Sequence, residues 1–126
     1  MSKSITDQVV IVTGAGRGLG AAIARAFARE GACVAINYRQ SEAAAEALAQ
    51  ELGPRAIAVR ADIRDAGEVA QMVAKVTAEF GAPTTLVHNA LADYSFNGDG
   101  RDTVATLEPE ALRAQHETAV IGALTL

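Results

Sequence analysis

Short β-branched runs alternate along this chain with longer segments in which apolar residues recur every three or four positions. The runs occupy 9–12, 34–36, 56–59 and 84–87. They are apolar throughout rather than alternating, the pattern of strands covered by helices on both faces. In the first intervening segment Leu19, Ile23 and Phe27 recur at four-residue spacing, which predicts a helix with those three on its buried face and Gly31 as its stop. The second spans 41–52, with Ser41 as N-cap, Gly53-Pro54 as terminator and a thin apolar face around Ala44, Leu48 and Leu52. The third opens with Asp65 and Glu68 at capping-box spacing and carries the stripe Val69, Met72, Val73, Val76 and Phe80, ended by Gly81 and Pro83. Strand, helix, strand, helix with short connections predicts parallel strands joined by right-handed crossovers. The expected architecture is therefore α/β, a doubly wound parallel sheet with visible strand order 3-2-1-4.

After the fourth run the pattern breaks into a polar, glycine-bearing stretch at 92–106, long enough to suggest a functional loop. A further helix is expected to begin near Leu107-Glu108-Pro109, because proline is tolerated in a first turn. The apolar run 119–126 would continue it. A terminus inside an apolar run, with the fourth strand unpartnered on one side, leads to the expectation that 1–126 is the N-terminal part of a longer single domain. The competing reading is a small complete protein whose last helix packs in a dimer.

Composition narrows the function classes. Half of the 126 residues are hydrophobic and the net charge is −4, with a pI near 5.1. That balance argues against binding to nucleic acid or to an anionic membrane, either of which favours a basic face. Cys33 is the single cysteine, so no internal disulfide can form. The start carries no signal-peptide pattern, and no run reaches the roughly 18 apolar residues of a membrane span. A cytoplasmic protein is the expectation. No metal-ligand motif stands out.

The chemistry concentrates in Thr13-Gly14-Ala15-Gly16-Arg17-Gly18-Leu19-Gly20, which follows the first strand and opens the first helix. A phosphate placed there meets unpaired backbone N–H groups and the positive end of the helix dipole. Gly14, Gly18 and Gly20 are the best-placed glycines, since a Cβ would obstruct either the tight turn or the approach of a pyrophosphate. The spacing is not G-x-G-x-x-G. Its position between a clear strand and a clear helix separates it from a merely flexible glycine-rich loop.

The spacing Thr-Gly-x-x-x-Gly-x-Gly resembles the cofactor fingerprint of the short-chain dehydrogenase/reductase family, and later landmarks follow in that family's order. The second strand ends Asn37-Tyr38-Arg39. Tyr38 stands where NAD-preferring relatives carry a carboxylate that would repel a 2′-phosphate, and Arg39 follows it. Arg17, in the glycine turn, faces the same crevice. Alone, either arginine reads as a solvated surface charge; together they suit a phosphate dianion and imply NADP(H). The pair Asp62-Ile63 follows the third strand; in the family the aspartate meets the adenine amino group and the next backbone N–H caps the ring nitrogen. A turn-forming role is the bland alternative for Asp62, with Asp65 better placed as a helix cap. The fourth strand ends His88-Asn89-Ala90-Leu91, against a family pattern of Asn-Asn-Ala-Gly. Asn89 and Ala90 match and imply a place near the nicotinamide-side ribose. Leu91 adds bulk where backbone normally passes close to that ribose, and His88 reads as structural rather than catalytic.

Ala119 stands at the position of the family's relay-supporting asparagine when aligned on Gly122. The family's catalytic serine and Tyr-x-x-x-Lys element have no counterpart, for neither Tyr38 nor Tyr94 is followed by Lys four residues on. In that mechanism the tyrosine is the general acid or base and the lysine lowers its pKa. No catalytic residue is therefore assigned within this chain. The resemblance implies the cofactor-holding part of an oxidoreductase that moves hydride between NADPH and a carbonyl or alcohol, closest to the 3-oxoacyl-[acyl-carrier-protein] reductase type. By itself it would be inactive; at full length it would form a homo-oligomer. A non-catalytic dinucleotide sensor or interaction protein of the same Rossmann-type fold is the alternative reading.

Overall fold

The computed structural model describes residues 4–16, 18–90 and 109–116. Four strands, β1 (Val9–Val12), β2 (Cys33–Tyr38), β3 (Ala56–Arg60) and β4 (Thr85–Val87), alternate with α1 (Gly18–Arg29), α2 (Glu42–Leu52) and α3 (Ala66–Phe80). A 3-10 turn, Ile5–Asp7, precedes β1, and α4 spans Pro109–His116. The sheet is parallel with order β3-β2-β1-β4, as the alternation of runs and helical segments predicts. Strands β2 and β3 extend past the apolar runs, because their ladder continues to the pair Tyr38 and Arg60.

Successive strand residues point to opposite faces, and the two faces bury different helices. Val10, Val12, Val34 and Ile36 pack with Ala21 and Ala24 of α1 and Ala45, Leu48 and Ala49 of α2. Val9, Ile11, Ala35 and Val59 pack with Met72 and Val76 of α3. The sheet is thus doubly wound, with β1 and β2 buried along almost their whole length.

Two helix faces depart from the periodicity. In α1 the residues turned to the sheet are Gly20, Ala21 and Ala24, with Ile23 and Phe27 half-buried beside them; Leu19 is 70% exposed. The first turn of α1 lies against the glycine turn so closely that only a glycine fits at position 20. Leu19, about 100° away around the helix axis, is carried off the sheet. In α2 the buried seam is Ala45, Leu48 and Ala49, leaving Ala44 exposed and Leu52 half-buried. The stripe expected on α3 is the one observed: Val69, Met72 and Val76 are buried, with Val73 and Phe80 packed alongside.

Asp65 caps α3 by accepting from the backbone N–H groups of Gly67 (2.9 Å) and Glu68 (3.1 Å). The capping box is only half formed. Glu68 turns instead to the N–H of Asp62 and the guanidinium of Arg60, while the Asp65 N–H donates to the Asp62 carbonyl. Helix α4 opens on Pro109, where a missing N–H costs nothing. The expected loop at 92–106 and the continuation at 119–126 lie outside the described residues. No helix among the described residues is long and apolar enough to cross a membrane.

Candidate functional site

Because all four strands are parallel, their C-terminal ends lie along one edge of the sheet. Chain order reverses there: β1, β2 and β3 run outward in one direction and β4 lies on the other side of β1. Ligands of open α/β sheets bind in the crevice at such a switch point. The predicted residues Gly14, Tyr38, Arg39, Asp62, Ile63, Asn89 and Ala90 all follow or close these strands, and Gly18, Leu19 and Gly20 form the first turn of α1. Arg17 and Leu91 lie outside the described residues.

Backbone amides beyond the ends of a sheet ladder still need partners. Two buried polar side chains supply them. The Thr13 hydroxyl accepts from the N–H groups of Asn89 (2.8 Å) and Ala90 (3.1 Å), while the Thr13 N–H donates to the Val87 carbonyl (3.0 Å). The Asn37 Oδ1 accepts from the Gly14 N–H (3.3 Å), and its Nδ2 donates to the carbonyls of Ala61 (3.1 Å) and Val59 (3.4 Å). The Asn37 carbonyl also accepts from the Ala15 N–H (2.9 Å). Asn89 returns a bond from Nδ2 to the Gly14 carbonyl (3.3 Å). Four strand ends and the glycine turn are therefore tied together by Thr13, Asn37 and Asn89. Sequence reasoning passed over the first two as site residues; the available signal was a polar residue closing an apolar strand.

The glycines divide the work. A Cβ on Gly14 would stand 2.8 Å from the Ala90 Cα, and one on Gly20 would stand 2.6 Å from both the Gly14 carbonyl oxygen and the Asn89 Nδ2. These two let turn, helix and β4 end approach each other. Gly16, not singled out from sequence, meets Ser41 in the same way at 3.0 Å. Gly18 differs: its φ is +63°, in the left-handed region, and a Cβ there would meet none of the described residues within 4 Å. Among the described residues, the first turn of α1 is thus uncovered at Gly18, beside the exposed Leu19.

Tyr38 sits at the β2 end but is buried to 8% exposure in the layer shared with α2. Burial pushes its phenol above the usual range, the Glu42 and Glu46 carboxylates add to this, and Arg60 opposes it. Arg39 is half-buried, and its charge reaches Asp62. The Asp62 carboxylate accepts from Arg64 Nε (3.0 Å), Nη2 (2.8 Å) and backbone N–H (3.0 Å). The Arg64 side chain holds it below the usual carboxylate range; burial opposes, and the Arg64 backbone bond with the charges of Arg64 and Arg39 adds to the lowering. Ile63 is buried, His88 is half-buried at the β4 end, and the helix cap is Asp65 as expected.

The family profile described as short chain dehydrogenase matches residues 8–125. A 3-oxoacyl-[acyl-carrier-protein] reductase of Synechocystis is 43% identical over 90 residues, covering 69% of this chain and 36% of its own length. A crystal structure of a short chain dehydrogenase from Burkholderia cenocepacia in complex with NADP superposes with a TM-score of 0.82 at 31% identity, over 98% of this chain and 49% of that one. A 3-ketoacyl-(acyl-carrier-protein) reductase from Brucella melitensis complexed with NADH gives 0.81 at 34% identity, over 97% and 48%. The chain spans little more than a third of the length of the curated relatives it matches and about half of the solved chains.

Proposed function

The chain belongs to the short chain dehydrogenase family, and on that premise we propose that it holds NADP(H) for an oxidoreductase acting on a carbonyl or alcohol substrate of the 3-oxoacyl type. The observation that carries the reading is the opening at Gly18. A left-handed glycine starts α1 at the strand-order switch point, and none of the described residues occupies the space where its Cβ would be. Helix N-terminal amides facing such a space suit a pyrophosphate. The residues present fit a dinucleotide, which when bound would supply or accept the hydride.

The chain's own part is to hold. Thr13 and Asn37 fix the glycine turn against the strand ends, and Gly14 and Gly20 keep it close to Asn89 and Ala90. The solved relatives include one complexed with NADP and one with NADH, so the choice of cofactor rests on this chain's residues. The end of β2 carries no carboxylate to repel a 2′-phosphate, and Arg39, with Arg17 from the turn, supplies positive charge instead. The catalytic tyrosine and lysine of the family would come from sequence beyond these 126 residues, in keeping with the share of the relatives' length that the chain spans.

Full-length protein should oxidise NADPH when given a 3-oxoacyl thioester, and should use NADH poorly. Tight NADPH binding with no turnover on any carbonyl or alcohol, together with a downstream sequence lacking Tyr-x-x-x-Lys, would favour the sensor reading, which draws its support from the departures at His88, Leu91 and Ala119.

A further inference from the structure

Arg64 takes no part in the family landmarks, yet it makes the most fully formed ion pair of the described residues. Nε and Nη2 bridge the two carboxylate oxygens of Asp62, and the Arg64 backbone N–H adds a third bond to Oδ1. The two side chains are 28% and 20% exposed, against 46% and 53% for the Arg25–Glu51 pair on the helix surface. The turn beneath is pinned as well. The Asp62 N–H donates to Glu68 Oε1 (3.3 Å), Glu68 is gripped by Arg60 (2.7 Å), and the Asp62 carbonyl accepts from the Asp65 N–H at the cap of α3.

A carboxylate torsion is broad and nearly two-fold, so an unheld aspartate samples many orientations. A guanidinium fork removes that freedom as a point charge cannot. A carboxylate accepts about four hydrogen bonds. With two on Oδ1 and one on Oδ2 among the described residues, a single acceptor direction is left on Oδ2, fixed in space. Strand β3 is outermost in the order β3-β2-β1-β4, beyond the β2 end where a dinucleotide's ribose is read. A group at the β3 end lies on the far side of that ribose, where the short chain dehydrogenases that this chain resembles set an aspartate against the adenine amino group.

Resting on the cofactor reading above, we infer that Arg64 is a positioning residue: it fixes Asp62 as a one-directional acceptor for the exocyclic amino group of adenine, and so makes this site select the base of the dinucleotide. Hypoxanthine carries a carbonyl at that position, which would set acceptor against acceptor.

The test is fluorescence titration of the full-length protein with NADPH and with reduced nicotinamide hypoxanthine dinucleotide phosphate. The parent protein should prefer adenine by about ten- to a hundredfold, the range of one hydrogen bond to a charged group. Arg64→Leu and Arg64→Lys should both lose most of that preference, by weakening NADPH alone, because lysine restores charge without the fork. Retained preference in Arg64→Lys, or equal weakening of both probes, overturns the inference and leaves Arg64 a purely structural residue. If Arg64→Leu does not fold, Arg64→Lys decides. A parent protein that binds both probes equally sinks this inference alone, whereas one that binds neither sinks the cofactor reading beneath it.

Discussion

Gly18 and Gly20 stand two residues apart, yet their replacement by alanine should act on different properties. A methyl on Gly20 would press on backbone at 2.6 Å, so Gly20→Ala should cost stability by overpacking, about 1–3 kcal/mol or more. A methyl on Gly18 meets none of the described residues within 4 Å but sits at φ +63°, a strain of roughly 1–2 kcal/mol. Gly18→Ala should therefore melt only modestly lower while losing most of its NADPH affinity; thermal melts paired with titrations separate the two effects. Arg39→Asp should weaken NADPH by about 1.5–3 kcal/mol and spare NADH. Equal losses for both cofactors would remove the phosphate role assigned to that side chain. Asp62 makes a pH prediction with a definite sign. Arg64 lowers its folded pKa, so its contribution is fully present above the ordinary carboxylate value of about 3.9 and is lost as pH falls through the depressed one. The stability gap between the parent and Asp62→Asn should stay level from neutral pH to about pH 5 and close at lower pH. A gap that persists unchanged at pH 2 would show that the pair gives no net stabilisation through ionisation.

At the scale of elements, the cap of α3 is the most separable feature. Asp65→Ala removes two charge-assisted bonds to the first turn and should cost about 1 kcal/mol, readable as a lower urea midpoint at unchanged slope. Such features mark where the chain was legible. Apolar runs broken by Gly53-Pro54, Gly81 and Pro83 announced the strands and their order, and Asp65 announced its cap. Helix faces were legible only where side-chain size contrasts. The valine and methionine stripe of α3 leaves one choice of face, whereas in the alanine-rich α1 and α2 close approach decides. There the sheet takes Ala21 and Ala24, or Ala45 and Ala49, and leaves Leu19 and Ala44 outside. The site was legible as motif spacing but not as wiring. Thr13 and Asn37 act through bonds to residues 22 to 77 positions away, which no local pattern encodes. Asp62 was read as a ligand contact or a turn former, and the fork from Arg64 makes the turn itself a way of aiming the carboxylate.

For the whole molecule, the question is what the two edges of the sheet do. Strand β3 pairs with β2 over five registered positions, from Val34 with Ala56 to Tyr38 with Arg60, and α2 packs beside it. Strand β4 pairs with β1 over only three, none of its residues is fully buried, and Leu86 is 44% exposed. Among the described residues no strand pairs with its far side. A short apolar edge with open N–H and C=O groups invites another chain, and edge strands that avoid this commonly carry a lysine. The 126-residue chain on its own should therefore self-associate as concentration rises, and Leu86→Lys should shift it toward monomer. The substitution should leave the β1–β3 core intact, because a lysine stem can lie along the apolar surface while its charge reaches water. Sedimentation across a concentration series measures this, with thermal melts as the control for folding. A parent chain that stays monomeric and melts cooperatively at every concentration would show that the β4 edge is already satisfied within the 126 residues. The proposal that the reaction's remaining groups come from beyond Leu126 would then have to stand on the relatives' length alone.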